Sequence, residues 1–546
     1  MERRTFLKIL SSAGIVSLVS PTFAMEVCKN KVSKSSSALL ESAFRNPPFS
    51  SGVYTWWHWM NGNITKDGIT RDLEAMKANG IAGYQLFEAG SGIPIGPVES
   101  LSDEWVDLIL HTLKESERLG LEFAMHNCPG WSSSGGPWIT PDKAMQIITW
   151  SETKITGGKQ VRIQLPTPKH MFDYYIDTYC LAIPANMKVI PRLSILELSN
   201  RLDKDGVLTW DVPTGEWLIM RFGQTAKDQK NKSAPSKSTG LDCDKFSTEA
   251  LDYHLNCMFK RLMPTMEKIA KHSKIGLLID SYETGDQDWT SDMPAYFEQS
   301  HGYELYPFLP VLANKIVESE ESTKRFLFDF RRVRADMFAE RYYGHFQKRC
   351  KEKGIITYTE PYGGNMMEEL QVAQQLDINM GEFWCGQTVL WANYKYNRTV
   401  KQVASIAHTL GGKVVGAEAF TSEPDADKWL QYPYALKSLG DYMFTRGLSR
   451  IYFHRFAHQP HPTAAPGMTM GAWGLHFDRT NTWWKPGKAW IEYLNRCQYI
   501  FQSSTFYGDI LYHNGDDSFG STIEPEQTLL ALSLIHISEP TRLRCI

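Results

Sequence analysis

The chain has 546 residues, 42% of them apolar and 22% charged, enough to bury a large core and too hydrophobic for wholesale disorder. Its 58 basic and 61 acidic residues leave a net charge of −3. That balance gives no reason to expect a nucleic-acid partner or a membrane surface.

The start, Met1-Glu2-Arg3-Arg4-Thr5-Phe6-Leu7-Lys8, is basic. A short apolar run over 9–20 and then Pro21-Thr22-Phe23-Ala24 follow. Residues 1–24 therefore read as an export signal of the twin-arginine type, with an ordinary secretory signal as the alternative. The run is too short and too rich in serine to span a bilayer, and no later segment reads as a span. The mature protein is expected in the periplasm or outside the cell.

From residue 25 to about 504 the chain alternates. Apolar or aromatic runs suited to buried strands lie at 53–59, 82–87, 121–126, 275–280, 355–359, 377–383, 414–419 and 450–454. Amphipathic helical stretches lie between them, at 65–79, 102–119, 247–271, 323–353, 400–410 and 428–447, and one more follows at 484–503. Gly80, Gly120 and Gly354 stand where helices should stop. Eight such pairs predict an α/β fold, a (β/α)8 TIM barrel. An open doubly wound sheet is the runner-up, but the first predicted strand has no glycine-rich phosphate loop after it.

Residues 151–235 break the rhythm with short β-type runs between Pro, Gly and Asp-Gly turns, and predict a small β-rich insertion after the third strand. Residues 505–531 read as the start of another β domain. The tail Leu532-Ser533-Leu534-Ile535-His536-Ile537-Ser538-Glu539-Pro540-Thr541-Arg542 resembles a translated sequencing-library adapter. Residues 532–546 are therefore expected to be an artefact, and the natural chain to continue past Ala531 with other sequence. The cysteines before the tail show no metal-ligand spacing. Cys243 and Cys257 could pair in an exported protein; buried free thiols are the alternative.

Carboxylates recur at the predicted strand ends. Glu88 follows the second strand, Asp280 and Glu283 the fourth, and Glu360 the fifth; Glu382 ends the sixth and Glu418 the seventh. Catalytic groups of a TIM barrel come from these ends. Each acid alone reads as a salt bridge or cap, but five strands delivering acids to one rim suit glycoside hydrolysis, which needs a proton donor and a second carboxylate. Groups suited to holding sugar lie nearby: Trp56, Trp57, His58, Trp59 and Asn61; His126 and Asn127; Trp384; His454 and His458. The pleat must turn half of the first-strand aromatics into core, and at least one of Trp57 and Trp59 is expected to face sugar. His126 and His454 are open to either a site or a core role. Zinc spacing is absent, while a hard cation held by carboxylates stays open.

Three stretches together resemble glycoside hydrolase family 106, the bacterial α-L-rhamnosidases. They are Trp56-Trp57-His58-Trp59-Met60-Asn61-Gly62-Asn63-Ile64-Thr65, Asn127-Cys128-Pro129-Gly130-Trp131-Ser132-Ser133-Ser134-Gly135-Gly136-Pro137-Trp138-Ile139 and Asp280-Ser281-Tyr282-Glu283. The resemblance implies an inverting exo-hydrolase that removes terminal α-L-rhamnose from glycans, with Ca²⁺ helping to bind the sugar. It places the catalytic pair on Glu283 and Glu418 and makes Glu382 a calcium ligand or a close neighbour of one; a catalytic role for Glu382 or Glu360 is also open. It implies substrate contacts at Trp57, His58, Trp59, Asn61, Asn127, Trp131, Trp138, Trp384 and His454. His58 stands where a third Trp is expected. By analogy with other barrel glycosidases, Glu283 is the acid. The competing expectations are a barrel glycosidase of β-galactosidase or β-glucuronidase type and a non-catalytic glycan-binding protein.

Overall fold

A computed structural model describes residues 34–508, apart from 91, 133, 386–388, 424–428 and 472–473. The expected export signal and the tail past 508 lie outside the described residues. The described residues 34–48 belong to one unit and carry the helix Lys34–Arg45 with its Glu41–Arg45 ion pair. The described residues from Phe49 to 508 belong to the second.

In the second unit eight parallel strands close on themselves: β1 (Tyr54–Met60), β2 (Gly83–Ala89), β3 (Glu122–His126), β4 (Ile275–Ile279), β5 (Ile356–Thr359), β6 (Ile378–Cys385), β7 (Gly416–Ser422) and β8 (Arg450–Ala457). Neighbours in space are neighbours in order, and β1 pairs with both β2 and β8. Closure excludes the open doubly wound alternative and leaves no barrel edge to protect.

The pleat sorts the strands' side chains into two cores. Tyr54, Trp56, Phe87, Ala124, Leu278, Tyr358, Met380 and Tyr452 pack together inside the barrel. Trp57, Trp59, Tyr84, Leu86, Phe123, Met125, Leu277 and Ile279 belong to the larger cluster between barrel and helices.

Local chemistry sets the helix limits. Thr65 and Ser102 cap Lys66–Ala78 and Asp103–Leu119 by accepting from the N–H of Gly68 and Trp105, and Gly120 takes the left-handed conformation at the end of the second. Several predicted helices differ, among them 400–410, which starts at Val389, and 484–503, which starts at Lys488. The 247–271 stretch is two helices, Thr248–Phe259 and Met263–Ala270, because Pro264 can only sit in a first turn. The 428–447 stretch starts at Pro433 for the same reason. The 323–353 stretch starts at Glu320 and carries a π-helical turn at Phe338–Gly344.

Between β3 and β4 the chain forms a four-stranded antiparallel sheet, in the order Gln146–Thr156, Glu216–Ala226, Ile176–Pro184, Leu196–Glu197. Lys159–Gln164 pairs with Val207–Val212 beside it. Cys180, Ala182, Leu208, Trp210 and Ile219 give this segment its own small core. Of the two alternatives for Cys243 and Cys257, the free thiols hold: Cys243 is buried and Cys257 exposed.

One buried carboxylate ties the first αβ unit to the loop after β8. Asp72, with no solvent exposure, accepts from Trp57 Nε1 at 3.2 Å, the Gln459 N–H at 3.0 Å and Arg479 Nε at 2.7 Å, and His458 Nδ1 lies 2.8 Å from it. Asp72→Ala leaves Arg479 and His458 without their acceptor. It should cost about 3–5 kcal/mol of stability, read as a lower urea midpoint at unchanged m-value; a midpoint within error of the parent would contradict this role.

Candidate active site

The inward-facing positions change character toward the C-terminal ends of the strands. Below lie the Tyr, Trp, Phe and Met of the inner core; above them come His58, His126, Asp280, Glu360, Glu382, Glu418 and His454. The register of β6 with β7 sets Glu382 beside Glu418. One carboxylate oxygen from each of Glu360, Glu382 and Glu418 lies within 4.8 Å of the others. Asp280 adjoins them, and its carboxyl raises the hold of Glu360 on a proton. Glu283, on the loop after β4, is more exposed, and its charge acts on both Asp280 and Glu418. The two glutamates expected to form the pair thus lie within electrostatic reach of one another.

Burial, and after it the neighbouring acids, holds three of these carboxyls well above the ordinary range: Asp280 beside Glu283, Glu360 beside Asp280, and Glu418 beside Glu382. The supporting bonds come from hydroxyls. Thr421 Oγ1 donates to Glu418, and Tyr362 OH donates to Glu360 Oε2 at 2.5 Å. Glu360 Oε1 and Asp280 Oδ1 are buried without a hydrogen-bond partner. His454 Nδ1 is 3.7 Å from Glu418 Oε1. Such uncompensated buried oxygens are costly unless a ligand, ion or proton meets them.

The imidazoles complete the floor. His58 rings His454 at 5.6 Å and Phe87 at 5.3 Å edge-on, while His126 stacks on Phe87 at 5.2 Å. Burial depresses all three: His126 to about 4, and His58 and His454 well below the usual range, each helped by a neighbouring histidine or Arg455. Neutral imidazoles offer one donor and one acceptor, which suits sugar hydroxyls. Trp131 and Trp384 are half-buried, and Trp131 packs on the upper barrel core.

Five expected sugar contacts are corrected. Trp57 and Trp59 have no exposure and face the helices, because Trp56 and His58 take the inward positions of β1. Asn127 is buried and fully engaged: Nδ2 donates to Leu278 O at 2.8 Å, and Oδ1 accepts from Ser134 Oγ at 2.6 Å. The Asn61 amide donates to Ile93 O at 2.6 Å and holds the loop after β2. Trp138 Nε1 reaches His254 Nδ1 at 3.2 Å, on the helix Thr248–Phe259. Glu88, expected on the acidic rim, also points outward and accepts from Ser100 Oγ at 2.7 Å.

The Asn127–Ile139 stretch is a scaffold for the rim. Its backbone donates from Gly130 to Glu88 O and from Trp131 to Lys232 O. Gly130 has φ +82°, and a Cβ there would meet Lys232 O at 2.1 Å, so no other residue fits. This contact brings Lys232, at the end of the β-rich segment, to the site: its ammonium lies 2.5 Å from Glu283 Oε2. Composition gave no signal for Lys232.

Burial pushes Glu88 up to about 7 from 4.5. The folded protein therefore holds this proton more tightly than the unfolded chain, and the stability is present at low pH and lost as pH rises through about 7. Glu88→Gln should remove that slope from Tm measured between about pH 4.5 and 7.5; parallel Tm profiles for parent and variant would refute the assignment.

Known proteins place this geometry. The family model for glycoside hydrolase 106, described as alpha-L-rhamnosidase, matches residues 45–178 and 169–531. A Formosa agariphila protein provisionally named beta-glucuronidase is 40% identical over 510 residues, covering 88% of this chain and 43% of that protein. The rhamnosidase of Novosphingobium sp. PP1Y has the same fold, with a TM-score of 0.78 at 24% identity over 85% of this chain and 60% of that one. The chain thus spans less than two thirds of either relative. It belongs to glycoside hydrolase family 106.

Proposed function

We propose that this family member is an exo-acting, inverting α-L-rhamnosidase that removes terminal α-L-rhamnose from glycans. The observation that carries the reading is the gathering of Asp280, Glu283, Glu360, Glu382 and Glu418 from the ends of four successive strands into one electrostatic unit. A terminal sugar fits the floor formed by His58, His126 and His454, with its leaving group toward solvent.

That orientation assigns the pair. Glu283, at the exposed lip, stands on the leaving-group side and protonates the glycosidic oxygen. Glu418, at the floor and held by Thr421, takes the proton from the water that attacks the anomeric carbon; burial and Glu382 raise its hold on a proton, so this role has Glu418 ionised while Asp280 keeps the cluster's shared proton. Lys232 pairs with the ionised Glu283 carboxylate between turnovers and must give way when Glu283 takes up the proton it donates. Glu283→Gln and Glu418→Gln should each lower kcat by at least about 10³-fold with the fold intact by circular dichroism. The first product seen by NMR should be β-rhamnose. Near-parental rates in both variants would defeat the pairing, and α-rhamnose as first product would defeat inversion.

Ca²⁺ fits the same centre. It prefers carboxylate oxygens at about 2.3–2.6 Å, and three glutamate oxygens within 4.8 Å of one another, next to the orphaned Glu360 Oε1, match that demand. Glu360 and Glu382 would hold the ion, with Glu418 beside it. When bound it supplies positive charge to the acid cluster and a Lewis-acidic partner for sugar hydroxyls. Chelation should lower Tm and weaken rhamnose binding in calorimetry, with both restored by added calcium. Insensitivity of both to chelation would remove the metal from the account.

A glycosidase of β-glucuronidase type is the second reading, favoured by the name of the Formosa relative. Release of glucuronic acid, and not rhamnose, from matched aryl glycosides would establish it. Export across the membrane, expected from residues 1–24, accords with a glycan substrate outside the cell.

A further inference from the structure

We propose that Trp429, stacked on His476, is a binding platform for the sugar on the leaving-group side, so that the site recognises a glycan chain and not an isolated terminal rhamnoside. The inference rests on the rhamnosidase reading and extends it to the residue beyond the scissile bond.

Trp429 lies on the loop after β7, the strand that carries Glu418. Its backbone is left-handed, with φ +62°, a conformation that a bulky side chain rarely adopts and that needs its surroundings to hold it. Despite that constraint the residue is 56% exposed. One face of the indole lies on the His476 ring, centroids 3.8 Å apart and 26° from parallel. His476 is itself buried, and its Nε2 donates to Gly471 O at 3.0 Å.

This stack is fixed to the catalytic strand ends. The Gly474 N–H donates to Ser422 O at 2.9 Å and the Leu475 N–H to His454 O at 2.8 Å. His476 acts electrostatically on His454, and His454 stands 3.7 Å from Glu418. The order Glu418, His454, His476, Trp429 therefore runs from the acid cluster outward to a broad, solvent-facing indole. A core role would have buried the indole, and it is exposed in a run with Leu430, Tyr432 and Tyr434, which are exposed as well. The apolar C–H face of a pyranose is the ligand chemistry that such a surface takes.

The test compares kcat/KM for methyl α-L-rhamnoside and for a rhamnose-capped trisaccharide. Trp429→Ala should lower the preference for the trisaccharide by roughly tenfold, through KM, and Trp429→Phe should restore most of it. An unchanged preference overturns the proposal, as does parallel loss on both substrates with a lowered Tm. Failure of the rhamnosidase reading looks different, because the parent protein then cleaves neither substrate. Indole fluorescence decides the platform in that event. A shift on adding galactose- or glucuronate-capped oligosaccharides that is lost in Trp429→Ala sustains it, and the absence of any Trp429-dependent shift overturns it.

Discussion

Several carboxylates are forced into one nearly dry space at the C-terminal mouth of the barrel, and the remaining features of the site answer to that crowding. Like charges this close cannot all be ionised in a low dielectric without a compensating cation or shared protons. Strand register makes the crowding unavoidable, since Glu382 and Glu418 are neighbours across β6 and β7. Hydroxyls from Thr421 and Tyr362 moderate it, and neutral imidazoles border it. An arrangement so unfavourable when empty is suited to a ligand that brings positive charge and hydroxyl groups.

The rest of the molecule keeps that arrangement in place. Asp72 clamps the helix Lys66–Ala78 to the loop after β8. The Asn127–Ile139 stretch joins the rim to the β-rich segment through Gly130 and Trp131 and so delivers Lys232 to Glu283. Ser134 Oγ meets Tyr342 OH at 2.6 Å, within the π-helical turn, which ties the same stretch to the long helix before β5. The unusual composition of this stretch reflects close backbone approach and fully engaged amides, and only Trp131 of its aromatics remains at the mouth.

The barrel was legible because its strands are short apolar runs separated by amphipathic helices, and two of the shifted limits, at Pro264 and Pro433, are helix starts that proline dictates. The acids were legible for a related reason: a carboxylate placed directly after an apolar strand has few places to go but the rim. Glu88 shows the limit of that rule, because one step along the pleat turns a side chain toward the helices. The same ambiguity misplaced Trp57 and Trp59. Four consecutive aromatic residues carry no polar alternation, so the sequence cannot say which face is inward until the neighbouring strands fix the register. Asn127 and Asn61 misled because an amide can serve a sugar or a backbone carbonyl equally well. Lys232 was hidden because its partner lies 51 positions away and is reached only through the fold.

The most direct test of the charge-compensation claim is a crystal grown with calcium and measured at a wavelength where calcium scatters anomalously. The expected result is a single strong peak enclosed by Glu360, Glu382 and Glu418, with Glu283 outside its coordination sphere. Carboxyls hydrogen-bonded to one another, with no anomalous peak among them at saturating calcium, would contradict it.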